Sequence, residues 1–353
     1  MKIQTEPVGS IPRPAYLING MKAYAEQQMD LAALNELSAR ALKETIKSFE
    51  ATGSPVISDG EQTKPSFATY PVSGLQTLSP GGVAIPFADG HTRQLPKITS
   101  GPFHYQTYAS SYLSAAKQLT SLPVKQAVIA VSAISLLYPP EGIENYSQEQ
   151  FINDLLNEAE ADIRKSLETG AYNVQIDFTE ARLSLKLDPS GGLLRSFIDL
   201  NNKVIERFSN EDRKKIGIHS CPGGDLDSTH SADISYANLL PFLLQLKAGN
   251  FYLEYAAERD KKAALASIKE NLRPGQHIFL GVTDVLNPRV ETPAEIAETI
   301  AEAAAVIPVQ QLGTTDDCGF SPFADDVSTS REIAFAKIKA RVDGTRLAEQ
   351  KLS

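Results

Sequence analysis

The chain of 353 residues has no tryptophan, two cysteines, three methionines and five histidines. Two cysteines, Cys221 and Cys318, cannot build a disulfide framework, and in a reducing compartment both stay as thiols. No apolar run approaches the roughly 20 residues that cross a bilayer. The opening MKIQTEPVGSIPRP lacks an apolar stretch of signal-peptide length. Acidic side chains outnumber basic ones, 43 to 34, for a net charge of −9. A surface for nucleic acid or for anionic membranes is therefore not expected. The expectation is a cytoplasmic protein with no nucleic-acid or membrane partner. What is present is ordinary: 42% hydrophobic residues, 22% charged, 22 Gly and 21 Pro. That composition excludes a disordered chain and a collagen-like repeat. At about 150 residues per domain the length suggests two domains, but α/β barrels exceed about 250 residues as one. No repeat or low-complexity linker divides the chain, so residues 1–353 are read as a single domain.

Short apolar or β-branched runs alternate with helical patterns. The expected strands are Ile3 to Val8, Pro55 to Asp59, Lys125 to Ser132, Asn173 to Phe178, Lys215 to Ser220, Asn250 to Tyr255, His277 to Thr283 and Val309 to Gly313. Between them, Asp30 opens a helix whose Leu34, Leu37, Leu42, Ile46 and Phe49 recur at helical spacing, and Gly53 stops it. Ser147 with Gln150, and Thr292 with Pro293 and Glu295, read as capped helix starts. Eight strand–helix units predict a (β/α)8 TIM barrel. A doubly wound open sheet is the alternative, but no G-x-G-x-x-G follows the first strand. Residues 60–122 interrupt the rhythm. Within them Val83 to Ala88 and Thr92 to Ile98 flank Asp89-Gly90, which predicts a β-hairpin inserted after the second strand. That segment reads either as a functional lid or as a loop that merely covers the barrel.

Barrel chemistry sits at the C-terminal ends of the strands. Those ends carry Gly9 and Ser10, Asp59 and Glu61, Asp177, His219 and Cys221, Glu254, Asp284, and Asp316 to Gly319. His219 and Cys221 alternate along one strand and so point the same way. With Glu254 and Cys318 they make an N/S/O donor set suited to Zn2+. The bland alternative is two buried thiols and a strand-end imidazole.

Seven segments, VGSIP (Val8 to Pro12), SDGEQ (Ser58 to Gln62), VQID (Val174 to Asp177), HSC (His219 to Cys221), YLEYA (Tyr252 to Ala256), GVTD (Gly281 to Asp284) and DDCG (Asp316 to Gly319), resemble the cobalamin-independent methionine synthases in order and spacing. The likeness spans nearly the whole chain but only the catalytic C-terminal half of the long family members. It implies a zinc-dependent methyltransferase that moves a methyl group onto the thiol of L-homocysteine to form L-methionine. It implies that His219, Cys221, Glu254 and Cys318 hold zinc. Val8, Gly9 and Ser10 would hold the homocysteine carboxylate, and Glu61 and Asp177 its ammonium group. A free thiol is only a few per cent ionised at pH 7, whereas zinc deprotonates a bound one. Two cysteinates and one carboxylate on Zn2+ would leave the site anionic, which keeps a bound substrate sulfur nucleophilic.

The donor half departs from the family. The extra domain of the long form is missing. The position of the family's proton-donating histidine is matched by Asn287, and a neutral amide cannot supply that proton. Tyr138 stands roughly where the family has a tryptophan, and Asp177-Phe178-Thr179-Glu180 replaces its DEPA stretch. Three sources of the methyl group compete. They are a methylated folate with Tyr138, His230 or water as the acid, a methyl-corrinoid whose leaving group needs no proton, and a partner protein that delivers the methyl. Other functions weighed are a uroporphyrinogen-decarboxylase-like barrel, a zinc thiol transferase acting on another thiol such as coenzyme M, and a non-catalytic binder of methionine or zinc. The paired thiols argue against the decarboxylase, and the paired acids favour an ammonium-bearing acceptor.

Overall fold

The computed structural model describes residues 2–352. Seven parallel strands form one sheet: β1 (Gln4–Thr5), β2 (Gln126–Ile129), β3 (Val174–Asp177), β4 (Ile216–Ser220), β5 (Asn250–Leu253), β6 (His277–Gly281) and β7 (Leu312–Thr315). Their order is β1-β7-β6-β5-β4-β3-β2. Every residue of β2, β3, β4, β5 and β7 is buried, the pattern of a sheet covered on both faces. Helices intervene between successive strands as expected. The helix Leu31–Thr52 starts at Asp30, whose carboxylate accepts from Ala33 N–H, and ends at Gly53 with φ +73°. Ser147 with Gln150 and Thr292 with Glu295 form complete capping boxes ahead of Gln148–Glu168 and Pro293–Ala304.

The sheet has seven strands where eight were expected. The segment from Pro55 to Asp59 contributes one parallel bridge, Ile57 to Val124. Ile57 alone takes ladder bonds, its N–H to Pro123 O at 3.0 Å and its carbonyl from Lys125 N–H at 2.8 Å, and the carbonyl before it is held by a side chain. Ser54 Oγ donates to Val56 O, and Ser58 Oγ donates to Gly9 O while accepting from Gly60 N–H. The last strand starts three residues late, because Val309–Gln311 forms a 3-10 turn after Pro308. In the 60–122 region, Ala84–Pro86 pairs antiparallel with Thr92–Gln94 around Asp89-Gly90. Arg93 ties this pair to Asp225 (2.5 Å) and Asp325 (3.0 Å).

The final helix, Arg331–Leu352, spans the joint between β1 and β7. Its buried Arg341 reaches Thr5 Oγ1 at 2.6 Å and Asp316 Oδ1 at 3.0 Å. Thr345 meets Thr314 at 2.8 Å. The loop carrying Cys318 is thus braced from behind.

Candidate active site

The ends of β3, β4 and β7 and the loop after β1 converge on one cavity of about 590 Å³. Val8, Ser10, Glu61, Asp177, His219, Cys221 and Cys318 all line it. At its head, the donor atoms of His219, Cys221 and Cys318 lie within 4.8 Å of one another, and all three residues are buried. Cys221 Sγ lies 2.8 Å from Cys318 Sγ, and both cysteines are free. His219 occupies β4 opposite Tyr252 of β5, and its Nδ1 meets the Tyr252 carbonyl at 3.2 Å. That contact leaves Nε2, which is buried and has no hydrogen-bond partner among the described residues. A buried imidazole nitrogen without a partner, beside two thiols, is the arrangement a zinc ion completes.

The thiols are inequivalent. Cys318 is held well below the ordinary thiol range, first by the hydrogen bond from Cys221 and then, against burial, by His219. Cys221 is raised well above it by the same neighbour and by burial. Burial opposes protonation of His219, but the Cys318 sulfur and Asp177 outweigh it, and the net direction is upward. Of the two sulfurs, Cys318 is therefore the one that favours the ionised form.

Glu254 falls outside the three-residue group. Its Oε2 lies 2.6 Å from Arg182 Nη1, and both side chains are buried. The same guanidinium reaches Glu258 at 3.1 Å. Glu254 nonetheless flanks the sulfurs, since it lines a small adjoining chamber together with Cys318. Asp317 sets that adjacency. Its carboxylate accepts from the backbone N–H groups of Tyr255, Ala256 and Ala257, each at 2.8 Å, which staples the Glu254 loop to the Cys318 loop.

The acidic pair lines the same cavity, with Asp177 in register beside His219 of the neighbouring strand. Gln175 Nε2 donates to Asp177 Oδ1 at 2.7 Å and to Val8 O at 3.1 Å. Lys125 Nζ donates to Gln175 Oε1 at 2.8 Å, which fixes the orientation of that amide. Burial pushes the Asp177 carboxyl up to about 7, against the pull of His219. Glu61 is already paired: Lys64 Nζ lies 2.9 Å from its Oε1, with both side chains buried. Ser10 Oγ accepts from Ser321 N–H at 3.2 Å. Gly9 takes φ +146° directly before it, a conformation that favours glycine.

The donor-side residues scatter. Asn287 is exposed, and its side chain caps the backbone of Arg289. Tyr138 donates to Tyr146 O at 2.7 Å and stacks on Phe151, so it is a structural residue rather than a cavity wall. His230 does line the cavity, with Nδ1 2.9 Å from Ser231 Oγ. Burial, then Lys186 and Arg182, lower it to about 4, so it is a neutral imidazole at pH 7. Arg182 and Lys64 are absent from the sequence reading, and Gln175 and Asp317, which stand in quoted motifs, have no role assigned there. Arg182 and Gln175 stand in or beside quoted motifs, yet nothing in their spacing marks their long-range partners.

A parallel α/β sheet whose strand ends gather a histidine, two thiols and buried carboxylates defines an enclosed, metal-competent pocket. Residues 3–334 match the family described as the cobalamin-independent synthase catalytic domain, and the chain belongs to that family. It is 22% identical over 353 residues to a methionine synthase of Saccharolobus islandicus, covering 99% of this chain and 96% of that one. It is 20% identical over 350 residues to the methionine synthase of Sulfurisphaera tokodaii, covering 99% and 94%. Among solved structures, a B12-independent methionine synthase from Shewanella sp. W3-18-1, in complex with selenomethionine, superposes with a TM-score of 0.77 at 19% identity, covering 100% of this chain and 99% of that one. Membership makes the chain a methyltransferase of methionine biosynthesis. Among the described residues, no helix is long and apolar enough to cross a membrane.

Proposed function

We propose that this protein transfers a methyl group to the thiol of L-homocysteine, giving L-methionine, at a zinc centre held by His219, Cys221, Cys318 and Glu254. The observation that carries the reading is the clustering of the His219, Cys221 and Cys318 donor atoms within 4.8 Å of one another, with a buried His219 Nε2 that has no nitrogen or oxygen partner among the described residues, in a cavity also lined by Asp177. Glu254 would offer the oxygen that Arg182 does not hold. Zinc, when bound, supplies the Lewis acidity that keeps a substrate thiol ionised at neutral pH.

The chain's own groups then position the substrate. Asp177, aimed by Gln175 and Lys125, takes the ammonium group. Glu61 shares that task while Lys64 balances its charge. The Val8–Ser10 loop takes the carboxylate with backbone and hydroxyl donors. Holding both ends of the amino acid directs its sulfur, which is the orientational part of catalysis. The sheet is read as an eightfold barrel with the Ile57 segment as its eighth member and residues 60–122 as an insertion over its mouth. Free thiols suit a reducing, cytoplasmic setting.

The proposed donor is a methylated folate. A methyl-corrinoid is the second reading, favoured by the exposed position of Asn287 and the structural engagement of Tyr138. The test is incubation of zinc-loaded protein with homocysteine and either 5-methyltetrahydrofolate or a methyl-corrinoid, scoring methionine. Methionine from neither donor overturns the proposal.

A further inference from the structure

A second chamber of about 1040 Å³ opens beside the first and shares Phe67, Arg93, Thr179 and Phe323 with it. Its walls are largely apolar, with Ile129 and Leu136 among them, and one of its lining residues is the buried acid Glu180. Glu180 belongs to the stretch where this chain departs from its family, and nothing in the methyl-acceptor site uses it.

The hydrogen bonds around Glu180 give its two oxygens different roles. Asn201 Nδ2 donates to Ser132 Oγ at 2.8 Å. The amide can only donate there, so the Ser132 hydroxyl hydrogen is directed at its other contact, Glu180 Oε1, at 2.5 Å. Oε1 is thus an acceptor. Oε2 is buried and has no partner among the described residues. When the carboxyl is protonated, the proton resides on Oε2. The charged groups nearby are Asp177 at the end of β3, and Arg93 and Asp325 on the chamber wall. Burial pushes the carboxyl up to about 7, against Ser132. At neutral pH a large fraction therefore carries its proton.

We infer that Glu180, through Oε2, donates the proton that the amine nitrogen of a methylated folate takes up when its methyl group leaves. The inference rests on the folate reading above. In the step, the homocysteine thiol has lost its proton to solvent. The S–CH3 bond forms as the N–CH3 bond breaks, and that bond's electron pair stays on nitrogen. The Glu180 proton moves onto the nitrogen to give a secondary amine. The remaining carboxylate is stabilised by the Ser132 hydroxyl and regains a proton from solvent. Glu180 thereby performs the task that Asn287 cannot.

The experiment compares wild type with Glu180→Gln, which keeps the size and the Ser132 contact but has no acidic proton. Zinc-loaded proteins are mixed with homocysteine and 5-methyltetrahydrofolate in single turnover across pH. Methyl iodide serves as a parallel donor whose leaving group takes no proton. The folate-dependent rate should fall about 100-fold or more in the variant, while the methyl iodide rate stays within about 2-fold. The wild-type rate should decline as pH rises through about 7, and that decline should be absent in Glu180→Gln. Ser132→Ala should move the decline to higher pH, since Ser132 favours the ionised form. Without any donor, infrared difference spectra should show a protonated carboxyl near neutral pH that the Gln variant lacks. An unchanged folate rate in the variant, or equal losses with both donors, overturns the assignment. If wild type makes methionine from a methyl-corrinoid and none from folate, the donor reading fails first and this assignment fails with it.

Discussion

Arg182 and Glu254 form a buried ion pair, with Nη1 2.6 Å from Oε2, and the same guanidinium holds Glu258 at 3.1 Å. Burial drives the Glu254 carboxyl well above its usual range, and Arg182 is the main opposing influence. Arg182→Met removes the counter-charge from two buried carboxylates. It should destabilise the fold by about 3–5 kcal/mol, the cost of breaking a buried pair from one side. Urea unfolding measures the loss, and adding Glu254→Gln to the variant should recover part of it.

Cys318→Ser tests the metal centre directly. The loop keeps its Asp317 staples, so circular dichroism should be unchanged. Bound zinc should fall well below one equivalent by elemental analysis. Methionine formation should drop by more than the roughly 10–100-fold that outer-shell losses cost. Full zinc content with full activity would remove Cys318 from the site.

Asp177→Asn separates amino-acid binding from metal binding. The variant loses a charge-assisted contact to the ammonium group, on the order of 1.5–3 kcal/mol. The KM for homocysteine should therefore rise roughly 10-fold or more, with zinc content unchanged. Loss of zinc in parallel would assign Asp177 to the metal instead.

A pH dependence follows from Asp162, which is bonded to the Tyr70 on which Lys64 rests. It accepts from Tyr70 O–H and, at 2.6 Å, from Ala109 N–H, and burial raises it to about 6 from 3.8. The native state holds this proton more tightly than the unfolded chain does. Its stabilising contribution is complete below pH 3.8 and is lost as pH rises through about 6. The total is about 3 kcal/mol, from roughly two pKa units. Asp162→Asn should flatten unfolding free energy between those pH values, as denaturant titrations at each pH would show.

Much of this is legible in the sequence. His219 and Cys221 could be placed on one face because alternation along a strand is a local property. The capping boxes at Ser147 and Thr292 were readable because donor and acceptor lie three residues apart. The second strand is reduced to a bridge at Ile57, and the Ser54 hydroxyl that takes the Val56 carbonyl is a competition that residue type alone does not reveal. The Arg182–Glu254 and Lys64–Glu61 pairs show two limits. The first joins residues 72 apart, so no periodic pattern announces it. The second is only three residues long, yet it reads as a surface pair until its burial is known. The exposure of Asn287 depends on where a loop points, which its place in the sequence does not tell.

The brace from Arg341 to Thr5 and Asp316 also orders events in time. The two thiols are separated by 97 positions, and the helix that seats the second one is the last described segment to emerge from a ribosome. A nascent chain exposes His219 and Cys221 well before Cys318 has its support. On the zinc reading proposed above, metal capture would follow the folding of residues 331–352 behind Cys318, and truncations within that helix should yield metal-poor protein rather than a slower catalyst.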